Sequence, residues 1–305
     1  MKVLKFVLIA LFGAWLTVAV IGCGGGSSSG SGTLSLGLTD APLDNIDNVE
    51  GVYIKIAEIQ YHVSGNTWQT FEGYAGDQTF NLLDYTDGNV ADLGDMNLSA
   101  GHYTQLRFIL DAPVDNGIAA VNPGCYIKYD DNTTDPLYVP SAANTGVKMI
   151  GEYNVPINGT INLIADFDVR RSIVVSGGGS KYHLKPTIRL IVDNEAGDIN
   201  GSIINNSGST ELKVYAYEDG TYADSETVDD NNDSILFENA VTSAEVHPDG
   251  SFKVSFLAAG SYDLVIAGYT SGDFDTVLGY VNDVAVASGE HTPLTLDTAT
   301  LDSTY

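Results

Sequence analysis

Between residues 34 and 297 the chain repeats one pattern: short runs that alternate apolar and polar, closed by clusters of Gly, Asn, Asp or Pro. In "LSLGLT" the alternation puts Leu34, Leu36 and Leu38 on one face. In "TQLRFIL" it sets Leu106, Phe108 and Leu110 against Gln105 and Arg107, and in "TINLIADF" it aligns Ile161, Leu163, Ala165 and Phe167. A period of two suits a strand buried on one face and cannot give a helix an apolar stripe. "VYIKIAEIQYHV" starts in one phase (Val52, Ile54, Ile56) and resumes in the other (Ile59, Tyr61, Val63), so a β-bulge is predicted near Ala57-Glu58. The expected fold is all-β, with two β-sandwich domains.

The first 33 residues follow a different rule. Lys2 and Lys5 precede an uncharged run from Phe6 to Ile21. That run is shorter than the roughly 20 residues a membrane span needs, and it suits the apolar region of a secretory signal. Val20-Ile21-Gly22-Cys23 then resembles the bacterial lipoprotein cleavage box. The resemblance implies cleavage before Cys23 and lipidation of its thiol and new amino group. Each buried CH₂ contributes about 0.8 kcal/mol, so two or three acyl chains would anchor the chain durably. "GGGSSSGSG" after it would act as a flexible tether reaching about 17 Å. The expected partner is thus a membrane, through the lipid on Cys23, in the bacterial envelope. In a Gram-negative host the lipoprotein resemblance further implies, with Gly24 rather than Asp after the cysteine, export to the outer membrane or cell surface. Cys125 is the only other cysteine, so with Cys23 acylated no intramolecular disulfide can form.

Thirteen Lys and Arg against forty Asp and Glu give a formal charge of −27, and removing Lys2 and Lys5 takes the chain two charges further. Such a balance argues against nucleic acid and anionic headgroups as partners. Nine of the remaining basic residues precede "VDNEAGDING" and only Lys213 and Lys253 follow it, while the carboxylates divide evenly. This asymmetry predicts a boundary there. The expected organisation is a signal peptide (1–22), lipidated Cys and tether (23–33), a first sandwich (34–193) and a second (194–305).

Seven phrases in order carry a family resemblance. They are "LGLTDAP", "VYIKIAEIQYH", "FNLLDY", "LSAGHYTQLRFIL", "LYVPSAANTGVKM", "IADFDVRRSIV" and "KYHLKPTIRLIV". Together they resemble the family named domain of unknown function 4382, found in secreted and surface prokaryotic proteins. That resemblance implies an extracellular β-sandwich and carries no catalytic residues. The later rhythm "DGSF…LAAGSYDLVI…V.V..GE" resembles the carboxypeptidase-regulatory-like, transthyretin-type sandwich, a module that serves as a spacer or interaction surface. The acidic insertion "DSETVDDNNDSILFE" departs from its compact form.

Candidate chemistry is sparse. "DAPLDN" (40–45) and "DAPVDN" (111–116) each follow an apolar run. Pro cannot donate to a ladder, and Asp and Asn favour turns, so both read as strand exits. Alternatively Asp40, Asp44, Asp111 and Asp115 converge with carbonyls on Ca²⁺, which takes six to eight oxygens. Asp166 and Asp168 at i, i+2 share a face if the strand is regular. With Arg170, Arg171, Lys181, Lys185 and Arg189 nearby, they read as cross-strand ion pairs on a wet face. "DDNNDS" begins like an EF-hand loop, but Ser234 replaces the needed Gly and Ala240 the bidentate Glu. "GSSSG" lies in the tether, with no strand or helix to build a nucleophile elbow. The five histidines have no close metal-ligand spacing. The expected protein is a non-enzymatic, lipid-anchored surface protein with a structural or adhesive role toward an unidentified surface protein or glycan. The alternative is a binder of carbohydrate or another small ligand, Ca²⁺-dependent or not; a hydrolase ranks third.

Overall fold

The computed structural model describes residues 30–43, 46, 48–63, 67–115, 124–140, 145–176, 181–205, 211–229 and 235–305. Cys23, Asp44, Asn45 and Asn116 lie outside them, as does most of "DDNNDS". The described chain is an all-β sandwich fold built as two pairs of sheets.

In the first pair, one sheet has the order β13 (Ile188–Val192), β10 (Thr160–Phe167), β1 (Ser31–Asp40), β5 (Ala91–Ser99). Its central strands β1 and β10 run parallel and are flanked by antiparallel partners. The facing sheet has the order β11 (Ile173–Ser176), β12 (Lys181–Leu184), β8 (Thr134–Tyr138), β7 (Tyr126–Tyr129), β2 (Val49–Val63), β6 (Gly101–Leu110), β9 (Val147–Val155). Short strands β3 (Thr67–Thr70) and β4 (Gln78–Asn81) also pair with β2. The alternation sets the layers: Leu34, Leu36 and Leu38 of β1 are buried with Leu106, Phe108 and Leu110 of β6 in one core. The phase change in β2 is a register shift between Ile56 and Glu58 opposite β6.

In the second pair, β17 (Ser251–Ala258), β14 (Ala196–Ile204) and β20 (His291–Asp297) form a three-stranded sheet. It faces β16 (Thr242–Val246), β15 (Glu211–Glu218), β18 (Gly260–Thr270) and β19 (Asp273–Val286). The "HPDGSF" turn is closed by Gly250 N–H to His247 O, and Gly250 has φ +85, which favours glycine. That turn and the "AAGSYDL" reversal each carry the chain from one sheet to the other.

The four-stranded sheet of the second pair buries both faces. Its inner face packs Val214, Leu264 and Ile266 against β14 and β17. Its outer face carries Tyr215, Tyr217 and Tyr269, and the acidic insertion folds back over these rings. Phe237 of that insertion is fully buried and stacks on Tyr215 at 4.1 Å between centroids.

Candidate functional site

The two sheet pairs meet at the ends of the parallel strands β1 and β10, whose last paired residues are Asp40 and Phe167. Beyond β10 the chain makes a single helical turn, α1 (Val169–Ser172). Asp168 caps this turn, its Oδ1 accepting from the Arg171 amide at 3.1 Å. Asp168 therefore does not continue the strand alternation with Asp166.

Asp40 is 5 % exposed. Its Oδ1 accepts from the Val169 amide at 2.9 Å, and its Oδ2 has no hydrogen-bond partner. Burial pushes its carboxyl well above the usual carboxylate range, and the charges of Asp168 and Asp166 add to the rise. Asp166 accepts from both Nε and Nη2 of Arg189, directly across the ladder in β13. Asp168 accepts from Arg171 Nε at 2.5 Å and from Arg170 Nη2 at 3.2 Å. Burial opposes ionisation of Asp168, but the two guanidinium groups outweigh it and hold its carboxyl below the ordinary value.

Arg170 is fully buried. Its Nη1 donates to the carbonyls of Phe237 at 2.6 Å and Leu236 at 3.0 Å, and its guanidinium lies 5.6 Å from the Tyr215 ring. An arginine of the first sheet pair is thus bound by the acidic insertion of the second. Around it, Arg171 Nη1 donates to Glu238 O at 3.2 Å, and Lys213 Nζ donates to Leu43 O at 2.9 Å. His247 Nε2 stands 3.3 Å from Asp87 Oδ2.

Two hollows open along this junction. A cleft of about 550 Å³ runs between Leu43, Ile46 and Val49 on one side and Glu211, Lys213 and Glu245 on the other. A small hollow of about 10 Å³ lies between Thr39, Asp40 and Asp87 of the first pair and Ser243, Lys253 and Ser255 of the second.

The described aspartates of the two repeated phrases have different partners. Asp111 follows β6 and accepts from Lys55 Nζ at 2.8 Å, and Asp115 accepts from Lys181 Nζ at 2.8 Å. Asp40 keeps the different partners given above. Among the described residues no group of three or more His, Cys, Asp or Glu is placed to hold a metal. The Asp166–Arg189 pair does cross a ladder, but Asp166 is 4 % exposed, so that face is dry rather than wet. Cys125 is fully buried, and burial pushes its thiol up to about 11.

Asp87, Ser243 and Ser255 escaped the sequence reading, and Arg170, read there as one cation of a wet face, is fully buried instead.

The sheets and their junction define the class: a strand-built sandwich protein whose polar side chains gather at one internal junction. Over residues 31–186 the chain matches the family described as "Domain of unknown function (DUF4382)", and it belongs to that family. No curated protein matches it. Among solved structures, the TIE protein of Bacillus anthracis is 12 % identical at a TM-score of 0.20, over 88 % of this chain and 34 % of that one. The chain thus spans about a third of that relative. The minor pilin of Streptococcus agalactiae is 10 % identical at 0.21, over 87 % of this chain and 94 % of its own. The shaft pilin spaA of Lactobacillus rhamnosus GG is 9 % identical at 0.21, over 87 % and 96 %. Scores this low carry no argument about function.

Proposed function

We propose that the protein is a structural or adhesive component of the bacterial cell surface, anchored through a lipid on Cys23 and without catalytic activity of its own. Residues 34–193 and 194–305 act in this reading as two domains of one stiff arm. The observation that carries it is Arg170. A fully buried guanidinium spanning the junction, with partners on both sides, ties the two sheet pairs into a unit that can bear load.

Protease added to intact cells should cut the protein, and Cys23→Ser should release it from the membrane fraction. A strain lacking the gene should adhere less to surfaces, and the Arg170→Ala protein should restore adherence less well than wild type. Unchanged adherence and an intact envelope in the deletion strain would overturn the reading.

The 550 Å³ cleft favours a second reading, binding of carbohydrate or another small ligand. Its size falls within the usual range for such sites, and apolar Leu43, Ile46 and Val49 face polar Glu211, Lys213 and Glu245. Glycan-array binding that Leu43→Asp abolishes would support it.

A further inference from the structure

The residues around the small hollow between the sheet pairs include four with a buried side-chain oxygen that has no hydrogen-bond partner among the described residues. The atoms are Asp40 Oδ2, Asp87 Oδ1, Ser243 Oγ and Ser255 Oγ, two from each side of the junction. Asp40 and Ser243 are each 5 % exposed. Burying polar oxygens without partners is costly, and native structures avoid it. Thr39 fixes the first side. Its hydroxyl lies 2.8 Å from the carbonyls of both Tyr85 and Asn89, which pins the turn bearing Asp87 against β1.

The charged groups around Asp40 are already engaged with one another. From β10, Asp166 is held by Arg189, and at the cap of α1 Asp168 is held by Arg170 and Arg171. From β17, the Lys253 ammonium is held by Asp198 at 3.0 Å. From the turn before β5, Asp87 meets His247 of the β16–β17 turn, which is a cation only when protonated. Thr242 and Ser243 of β16 bring no charge. An ionised Asp40 would sit beside two carboxylates with no cation committed to it. Burial first, and those two charges second, hold its carboxyl toward the un-ionised form. Burial raises the Asp87 carboxyl too, but His247 and Lys253 offset part of that rise.

We propose that Asp40 is a proton-operated latch between the two sheet pairs: as an acid it bonds across the hollow toward Ser243 and Ser255, and as a carboxylate it lets the pairs part. An un-ionised carboxyl donates a hydrogen bond, whereas a carboxylate only accepts. Oδ1 is taken by the Val169 amide at 2.9 Å, so the proton belongs on Oδ2. The hollow of about 10 Å³ has room for one water, and its orphaned oxygens supply the two to four partners such a water needs. That water carries the bond from Asp40 to the two serines. The hollow is not sealed, so solvent delivers and removes the proton. Ionisation places an unpaired charge in a poorly hydrated space, and parting the two pairs is what lets water reach it.

The latch deepens the stiff-arm reading and rests on it, since it acts on the junction that Arg170 spans. Its sign follows from linkage. Between the unfolded value of about 3.9 and the raised folded value, the folded chain holds a proton that the unfolded chain has lost. The contribution of Asp40 is therefore complete below about 3.9 and is lost as the pH rises through the folded value. The arm is tight in acid and loosens toward alkaline pH.

The test is calorimetric melting of the full chain in detergent, wild type beside Asp40→Asn, from about pH 5 upward. Asn keeps an oxygen for the Val169 amide and places a permanent donor where the acid has its proton, so this variant should fold and stay latched. As the pH rises, the wild-type midpoint should fall several degrees below that of Asp40→Asn. The wild-type transition should also divide in two while the variant keeps one. His247→Gln should fall away from Asp40→Asn as wild type does, which separates Asp40 from the His247–Asp87 contact. Infrared spectra of wild type do not depend on how any variant folds. They should show the stretch of an un-ionised carboxylic acid above about pH 5, where exposed carboxyls have ionised. Parallel midpoints in wild type and Asp40→Asn overturn the proposal, as does the absence of that infrared band. Loss of the pH response in His247→Gln overturns it too. The stiff-arm reading has its own tests in the deletion strain and in Arg170→Ala, so the two fail separately.

Discussion

Asp168 and Arg170 are the residues on which the junction turns. Both are almost wholly inside, and Arg170 together with Arg171 holds Asp168 ionised there. Replacing a buried pair with apolar groups can be neutral, but removing one member strands a charge and costs about 3–5 kcal/mol. Asp168→Asn should therefore lower stability by roughly that amount in urea denaturation near pH 7. The pH dependence follows from the direction of the shift. A carboxyl lowered in the folded state contributes fully above its unfolded value of about 3.9 and loses that contribution as pH falls through the lowered folded value. Wild type should lose stability in that acid window, and the Asn variant should lose measurably less as the pH falls below about 4. An equal acid loss in both proteins would show that Asp168 does not carry it. The sequence exposed the charges of "DFDVRR" but gave no way to see their burial. Asp166 and Asp168 share a face only if the strand continues, and it stops at Phe167.

At the scale of elements, most strands were legible because their instruction is local. A side chain two residues along returns to the same face, so the runs at Leu34, Leu106 and Ile161 announced their own buried sides. The bulge in β2 was legible for the same reason, as a change of phase. The acidic insertion was not. Its composition points to water, yet it places Phe237 over the tyrosine face of β15 and β18. Phe237 sits at φ +52, a conformation rarely held by a bulky residue, and its carbonyl accepts from Arg170. Phe237→Ala should cost about 3–5 kcal/mol, as buried aromatic truncations do. It should also raise binding of a hydrophobic dye as the rings of Tyr215 and Tyr269 open to solvent. A variant with wild-type stability and no dye binding would mean that the insertion is a cover of little consequence.

For the whole molecule, the question is whether two sandwich pairs behave as one body. Arg170, Lys213 and the His247–Asp87 contact link them without a single shared strand ladder. Wild type should unfold in one transition followed by calorimetry, with a single compact envelope in X-ray scattering. Arg170→Ala should split the transition in two and broaden the envelope, because the Phe237 and Leu236 carbonyls lose their donor and Asp168 loses a charge partner. One transition in both proteins would place the coupling elsewhere along the junction.

The sequence by itself determined the all-β class, the buried side of the strands at Leu34, Leu106 and Ile161, the bulge, the turn chemistry of "HPDGSF" and the family. All of these rest on neighbours a few residues apart, or on ordered phrases that stay readable along a line. Only the tertiary structure decided what Asp40 does. It sent Asp111 to Lys55 and Asp115 to Lys181, and it set Asp40 against Asp87, Ser243 and Ser255. Those partners lie on strands from both ends of the chain. Local periodicity says which way a side chain points; only sheet order and the docking of the two pairs say what it meets there.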